Sequence, residues 1–481
     1  MTKFCVYSVM ACVISVLFLT SCSLLSMPPS SVDDSNIVPP EFIYGDESDN
    51  GADSSPVYNF GGRDFTIAMF NRDLFLPEKD SSPVSNKILE RNDNIQKELN
   101  IKITALEGLT SDNFLVELDK RYNSGLFCGD LLVVPHSLLP IFVSQKKIMS
   151  VKSLPFVDLT AECYDTQAVN SATIGNFVHG VYGDLTYMPD KSVCVFFNKD
   201  IANENIRENL YSIEKNGQWT WDNFISFVKS TIPGINAAAS DKGNFYGLST
   251  SLSLYDTIDT MWASCGQKFF DNLPPNIPKM NFNTEKTQIV IDKIRGLLYN
   301  KEGNLYVSND GEMSGDDLFV QGNALFCIAT LDSAQSFSDA GINFGILPLP
   351  KYDENAPYST YVASSESVCV LNNIPDSDFT GIVLQRLAET SSFNNADYCK
   401  DYYVTNFLTD NSSAIMLDKI FKNPYYDLSF TLGTSYPEIA AASYGILHSN
   451  LETGVSFDAL YDLNNRQFDS YVKTNFTYKG E

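Results

Sequence analysis

A chain of 481 residues carries 33 Lys and Arg against 59 Asp and Glu, a formal net charge of −26. Its length suits roughly two or three domains or one large two-lobed body, and 44% hydrophobic with 19% charged residues is the composition of a folded protein. The acidic excess argues against nucleic-acid binding, which rests on Lys and Arg neutralising phosphates.

In chain order, Lys3 precedes a 16-residue apolar run from Phe4 to Leu19, followed by Thr20-Ser21-Cys22. A short positive end, an apolar segment and small residues before a cut site form a secretory signal. The run is shorter than the about 20 residues that a membrane span needs, and no other stretch is long and apolar enough. The Leu19-Thr20-Ser21-Cys22 ending resembles the lipobox of bacterial lipoproteins. That resemblance implies removal of residues 1–21 and a lipid on Cys22, which would hold an exported protein at the outer face of the bacterial cytoplasmic membrane. An uncleaved N-terminal anchor is the alternative.

Residues 22–62 read as the lipidated cysteine and a disordered tether. Beyond Cys22 they hold seven acids, five prolines and no Lys or Arg. Such a segment buries too little apolar surface to offset its ordering entropy, and like charges with prolines keep it extended. Seven further cysteines (128, 163, 194, 265, 327, 369 and 399) are widely spaced without a C-x-x-C pair. The odd count argues against a disulfide framework or thiolate metal site, and apolar flanks such as those of Cys194 and Cys369 suit buried small hydrophobes.

From Arg63 the pattern becomes a βαβ rhythm. Phe65–Phe70 reads as a buried strand, and Val84, Ile88, Ile95 and Leu99 recur at helical spacing. Ile101–Leu106 alternates as a second strand, a helix is expected around 112–123, and the apolar run Asp130–Pro135 suits the interior of a parallel sheet. Such alternation implies a parallel α/β sheet with ligand sites beyond the carboxyl ends of its strands. Asn71, Arg72 and Asp73 after the first strand, and His136 with Ser137 after the third, are therefore candidate site positions.

No catalytic constellation stands out. The chain has three histidines, and no H-E-x-x-H, G-x-S-x-G or phosphate-loop motif. Adjacent acids such as Asp316 and Asp317 point in different directions, and sequence does not reveal the carboxylate separation that a glycosidase requires. No cofactor or metal is expected.

A series of segments then carries a family resemblance. Val195-Phe196-Phe197-Asn198-Lys199-Asp200-Ile201 resembles the "YYNKDL" strand-turn of family 1 extracellular solute-binding proteins of ABC importers, the maltose-binding-protein-like group. Trp219–Phe224 is similar to that family's "TWDEF", Gly243–Leu248 to its "YGL" strand, Phe319–Leu325 to "F-x-x-G-x-A-M", and Phe344–Pro350 to "G-x-x-P-L-P". Ala414–Phe421 with Tyr426-Asp427-Leu428 resembles the C-terminal helix of a lipoprotein subgroup. Their order and spacing cover residues 63 to about 435. The resemblance implies a two-lobed, periplasmic-binding-protein-like (type II) α/β fold with hinge crossings and an interlobe cleft. One lobe is expected over 63–187 plus 345–400 and the other, helix-rich, over 188–344 plus 401–481. It also implies a monomeric, non-enzymatic receptor that binds a mono- or oligosaccharide and serves an ABC permease, without nucleic acid. A receptor for a peptide or polyamine, or a surface-anchored glycoside-active enzyme, is the alternative.

Sugar sites pair aromatic platforms with planar polar groups. Trp262 stands where the family often places a ligand-facing aromatic, and reads equally as a core tryptophan. Trp221 reads as structural. Tyr187, before the hinge-like Pro189, and Tyr361, after the second crossing, are stacking candidates. His136 matches a polar ligand-contacting position and reads equally as a loop histidine. Asn71, Arg72 and Asp73 fall where relatives place polar sugar contacts, a surface Arg-Asp pair being the alternative. Where relatives carry a stacking Trp, this chain has Thr330-Leu331-Asp332-Ser333, and Asp332 is a polar substitute.

Overall fold

Two five-stranded sheets organise the molecule. The computed structural model of the chain describes residues 58–475 apart from 82–83, 136–137, 184, 187, 239–244, 299–304, 309–311, 364–365 and 392–394. The signal segment, Cys22 and the expected tether up to residue 57 lie outside the described residues, as do His136 and Tyr187. Folded structure begins slightly before Arg63: the amides of Phe60 and Gly62 donate to the carbonyls of Leu99 and Asn100.

The first sheet contains β1 (Arg63–Met69), β2 (Ile101–Ala105), β3 (Leu131–Pro135), β4 (Ile148–Met149) and β10 (Glu366–Leu371) in the order β2-β1-β3-β10-β4. β1 is parallel to β2 and β3 as the alternating pattern predicts. β10 runs antiparallel to β3 and β4, so the sheet is mixed rather than wholly parallel. The helix Ser85–Leu99 buries Ile88, Ile95 and Leu99, the predicted stripe, and ends on left-handed Asn100 (φ 49°), a residue that tolerates this conformation.

The second sheet contains β5 (Val193–Asn198), β6 (Tyr246–Thr250), β7 (Leu305–Val307), β8 (Ala324–Thr330) and β9 (Phe344–Leu347) in the order β7-β6-β8-β5-β9. Again one strand opposes the rest: β5 is antiparallel to both β8 and β9. The family-like segments have local physical roles. Asn198 ends β5 and caps the helix Lys199–Asn205, its side chain accepting from the amides of Asp200 and Ile201 at 3.0 and 3.1 Å. Thr220 Oγ1 accepts the Asn223 amide at 3.4 Å, and Asn223 reaches back to the Gln218 carbonyl at 2.8 Å, a variant of the reciprocal cap. Trp221 is fully buried, its indole N–H donating to Ser264 Oγ at 2.8 Å.

Three stretches lie side by side between the sheets. The Val193 amide donates to the Tyr361 carbonyl, the Ala363 amide to the Lys191 carbonyl, and the Tyr425 amide to the Thr360 carbonyl. The expected division at residue 345 needs correction, because it falls inside β9, which belongs to the second sheet. Pro348 and Pro350, which follow β9, stay with the second lobe as well. The Trp219 indole N–H donates to the Pro348 carbonyl at 2.8 Å, and Lys351 exchanges backbone hydrogen bonds with Trp219 and Trp221, pinning this segment to the second lobe. The chain crosses near Tyr361 instead. Cys399 and Tyr403 pack with Cys194 and Phe196 of the second sheet, so residues 395–400 also belong there.

All seven described cysteines are buried. No helix among the described residues is long and apolar enough to cross a membrane, and among them no cluster of His, Cys, Asp and Glu has a metal-binding arrangement.

Candidate functional site: an aromatic and acidic cavity between the sheets

A cavity of about 340 Å³ opens between the two sheets, within the size range of small-molecule sites. The crossing segments supply its floor through Met188, Tyr361, Val362 and Ala363. Pro135, at the carboxyl end of β3, joins Tyr182 and Thr186 on the first-sheet side. Asp256 and Asp259 face them from the helix Leu254–Ser264, which follows β6. Tyr425, Asp427, Phe430 and Tyr444 complete the enclosure. The cavity thus sits at the strand-end crevice that α/β topology designates for ligands.

Local sequence places the acids. Ser253 caps the helix Leu254–Ser264, its Oγ accepting the Asp256 amide at 3.1 Å and donating to Asp256 Oδ2 at 2.6 Å. A carboxylate in a first helical turn is favoured by the helix dipole. Asp259, one turn later on the same face, meets His448 Nε2 at 2.9 Å; burial raises its carboxyl above the ordinary value and the imidazole opposes that rise. Asp427 caps the helix Leu428–Leu432, accepting the amides of Ser429 at 2.9 Å and Phe269 at 3.0 Å. Burial likewise raises Asp427, against the pull of Lys268. Lys268 lies 4.0 Å from the centre of the Tyr425 ring and donates to the Tyr426 carbonyl.

The aromatic groups are mutually braced. Tyr361 and Tyr425 each meet Phe430 at 5.6 and 5.9 Å, edge to face, and Phe430 stacks on Tyr444 at 6.1 Å with an 11° tilt. Tyr444 then leans on His448, which stacks on the exposed Tyr255 at 4.5 Å. Burial pushes the Tyr444 phenol up to about 12, and the Tyr361 phenol higher, so both stay neutral donors at ordinary pH. Tyr182, on the opposite wall, shares a 2.6 Å hydrogen bond with Ser367 of β10.

The sequence-derived candidates divide. Tyr361 borders the cavity. His136 and Tyr187 lie outside the described residues, though their neighbours Pro135, Thr186 and Met188 line it. Trp262 is corrected to a core residue. It has no exposed surface, lies parallel to Phe269 at 4.3 Å and meets Phe282 edge-on. Asp332 is also displaced from the cavity: it pairs with Lys191 at 2.5 Å and accepts the Thr330 hydroxyl, fastening the first crossing. Asn71 caps the short 3₁₀ turn Arg72–Leu74 by accepting the Asp73 amide at 3.0 Å, while Arg72 and Asp73 are exposed. None of these three lines the cavity.

Sequence reasoning missed Tyr182, Asp256, Asp259, Tyr425, Asp427, Phe430 and Tyr444. Two signals pointed to some of them. Ser253-x-x-Asp256 after a strand is a helix start at the crevice edge, and Tyr426-Asp427 was read as part of a helix motif rather than as a wall.

No family model matches this chain, and no curated protein matches it significantly. Solved structures do. The chain has the fold of the solute-binding proteins. The cyclic α-maltosyl-1,6-maltose binding protein from Arthrobacter globiformis matches with a TM-score of 0.56 at 13% identity, over 86% of this chain and 100% of that one. The sugar-binding protein MalE from Xanthomonas citri matches at 0.54 and 13%, over 87% and 100%. The galacto-N-biose/lacto-N-biose I-binding protein of the ABC transporter from Bifidobacterium longum, in complex with lacto-N-biose, matches at 0.52 and 14%, over 86% and 98%. The fold shared with these structures is therefore the frame in which the cavity residues are held.

Proposed function

We propose that this protein is the substrate-binding component of an ABC importer, capturing a mono- or oligosaccharide between its lobes and delivering it unaltered to a membrane permease. The observation that carries the reading is the cavity itself, where braced aromatic faces stand beside carboxylates and hydroxyls between two α/β sheets. A sugar offers apolar C–H faces to such rings and hydroxyl donors to such acceptors. Capture requires no covalent step, cofactor or metal. The ligand favours a closed arrangement only through contacts to both lobes that are better when closed.

The export signal and a lipid on Cys22 complete the proposal. A tethered monomer at the outer face of the cytoplasmic membrane stays close to its permease, which raises effective concentration. The assignment of residues 63–187 to one lobe, and the contributions of His136 and Tyr187 to the ligand site, belong to the same proposal.

A thermal-shift screen over sugars, peptides and polyamines tests it. A sugar at about 100 times its Kd adds about 2.7 kcal/mol of stability, and the reading expects a clear rise in melting temperature with no new reducing ends. A rise with peptides or polyamines alone would overturn the sugar assignment, and sustained release of reducing ends would overturn the receptor assignment.

A further inference from the structure

Among the described residues, the charged side chains bordering the cavity are all of one sign. Asp256, Asp259 and Asp427 line it, and no lysine, arginine or histidine is among the described lining residues. The three acids are not equivalent. Asp427 spends its oxygens on the Ser429 and Phe269 amides and is drawn on by Lys268, which is not among the described lining residues. Asp259 is answered by His448, which is not among them either. Asp256 is exposed, makes no ion pair among the described residues, and has the Ser253 hydroxyl as its side-chain partner. The remaining polar groups around the space, such as Thr186, Thr431 and Thr434, are uncharged.

Resting on the sugar-receptor reading, we infer that this cavity selects sugars by charge: it admits neutral and amine-bearing sugars and excludes those carrying a carboxylate, sulfate or phosphate. A sugar hydroxyl donates to a carboxylate, and an ammonium does so with charge assistance while also suiting the faces of the tyrosines. An anion has no proton to give and meets no cation among the described lining residues. It would lose hydration without replacement and stand against Asp256 at short range. The net charge of −26 extends the same bias outward, slowing the approach of anionic solutes at low salt.

The test uses the folded protein and matched sugars, the glucose, galactose and mannose series, each as neutral sugar, 2-amino sugar and uronic acid, as monomers and linked trimers. Calorimetric titration at low and high salt should find the acidic member of a binding series at least tenfold weaker than its neutral counterpart, and the amine at least as tight as the neutral sugar. D256N should shrink the acid-neutral gap at least threefold, and high salt should shrink it in the unmodified protein. Uronic acids binding as tightly as neutral sugars would overturn the charge rule while leaving a sugar receptor in place, and an unchanged gap in D256N would overturn the role of Asp256. Failure of every sugar to bind would remove the sugar reading and this inference with it.

Discussion

Glu366, at the start of β10 and paired across to Pro135 of the cavity wall, provides a quantitative test of the described packing. It is 4% exposed, and its Oε2 has no hydrogen-bond partner among the described residues. Burial pushes its carboxyl from 4.5 up to about 7. The folded state therefore holds a proton that the unfolded chain releases near pH 4.5, and stability must fall as pH rises between these values. At about 1.4 kcal/mol per pH unit the full penalty is about 3 kcal/mol above pH 7, and about 2 kcal/mol if the site relaxes or admits water. E366Q keeps the shape and cannot ionise. Its stability relative to the unmodified protein should rise by about 2–3 kcal/mol between pH 4.5 and 8.5, the contributions of other buried acids cancelling in the difference. Guanidinium unfolding at five pH values, followed by both fluorescence and circular dichroism, measures it. A difference constant to within about 0.5 kcal/mol across that range would refute the reasoning, because Glu366 would then be solvated or paired in the folded state.

Trp262→Ala should cost about 3–5 kcal/mol by opening a cavity in a stacked core. Trp262→Phe should cost far less and leave ligand affinity unchanged, because the indole N–H has no partner to lose among the described residues; calorimetry and denaturant unfolding check both. Tyr361→Ala should weaken sugar binding by about tenfold or more, whereas Tyr361→Phe keeps the stacking face and loses less; the readout is titration with the best sugar from the screen. Cys128, Cys194, Cys265, Cys327, Cys369 and Cys399 should react with a thiol reagent only as the protein unfolds, since all are buried and burial raises thiols such as Cys265, pushed up to about 12.

The elements were legible where local pattern and tertiary role agree. β1 and β3 followed from apolar runs buried in the sheet, β2 from alternation and the helix Ser85–Leu99 from a 3.6-residue stripe. β10 was not anticipated as an antiparallel member of the first sheet, since its direction depends on a return from a distant lobe rather than on its own residues. The misplaced lobe boundary at residue 345 has a similar origin. Prolines mark a stiff segment, but the Trp219 indole decides which lobe holds it, and that contact spans 129 residues. For the site, Tyr361 was singled out because it follows a crossing, and it borders the cavity. Trp262 misled because a helix following a strand shows one face to the crevice and another to the core. Distinguishing Asp256 from Trp262 on that helix requires its rotation, which the neighbouring helix around His448 helps to set.

The arrangement of the walls gives closure a physical basis. Tyr182 and Thr186 stand with the first sheet and Asp256 and Asp259 with the second, while the crossing segments between them are tied by backbone hydrogen bonds that need not break when the lobes tilt. One side of the cleft is already spanned: Ser171 meets Thr431 at 2.9 Å, His179 meets the Tyr436 hydroxyl at 2.6 Å, and Asn272 donates to the carbonyls of Asn170 and Thr173. Burial lowers His179 to about 4, so this contact is uncharged at neutral pH and independent of ordinary pH changes. A solute that touches only one wall would bind both arrangements equally and shift nothing, however tightly it bound. On the proposed reading, length and shape of the sugar therefore matter as much as affinity. A ligand must reach from the tyrosine on the first-sheet side to the carboxylates on the second to present the permease with a surface different from that of the empty receptor.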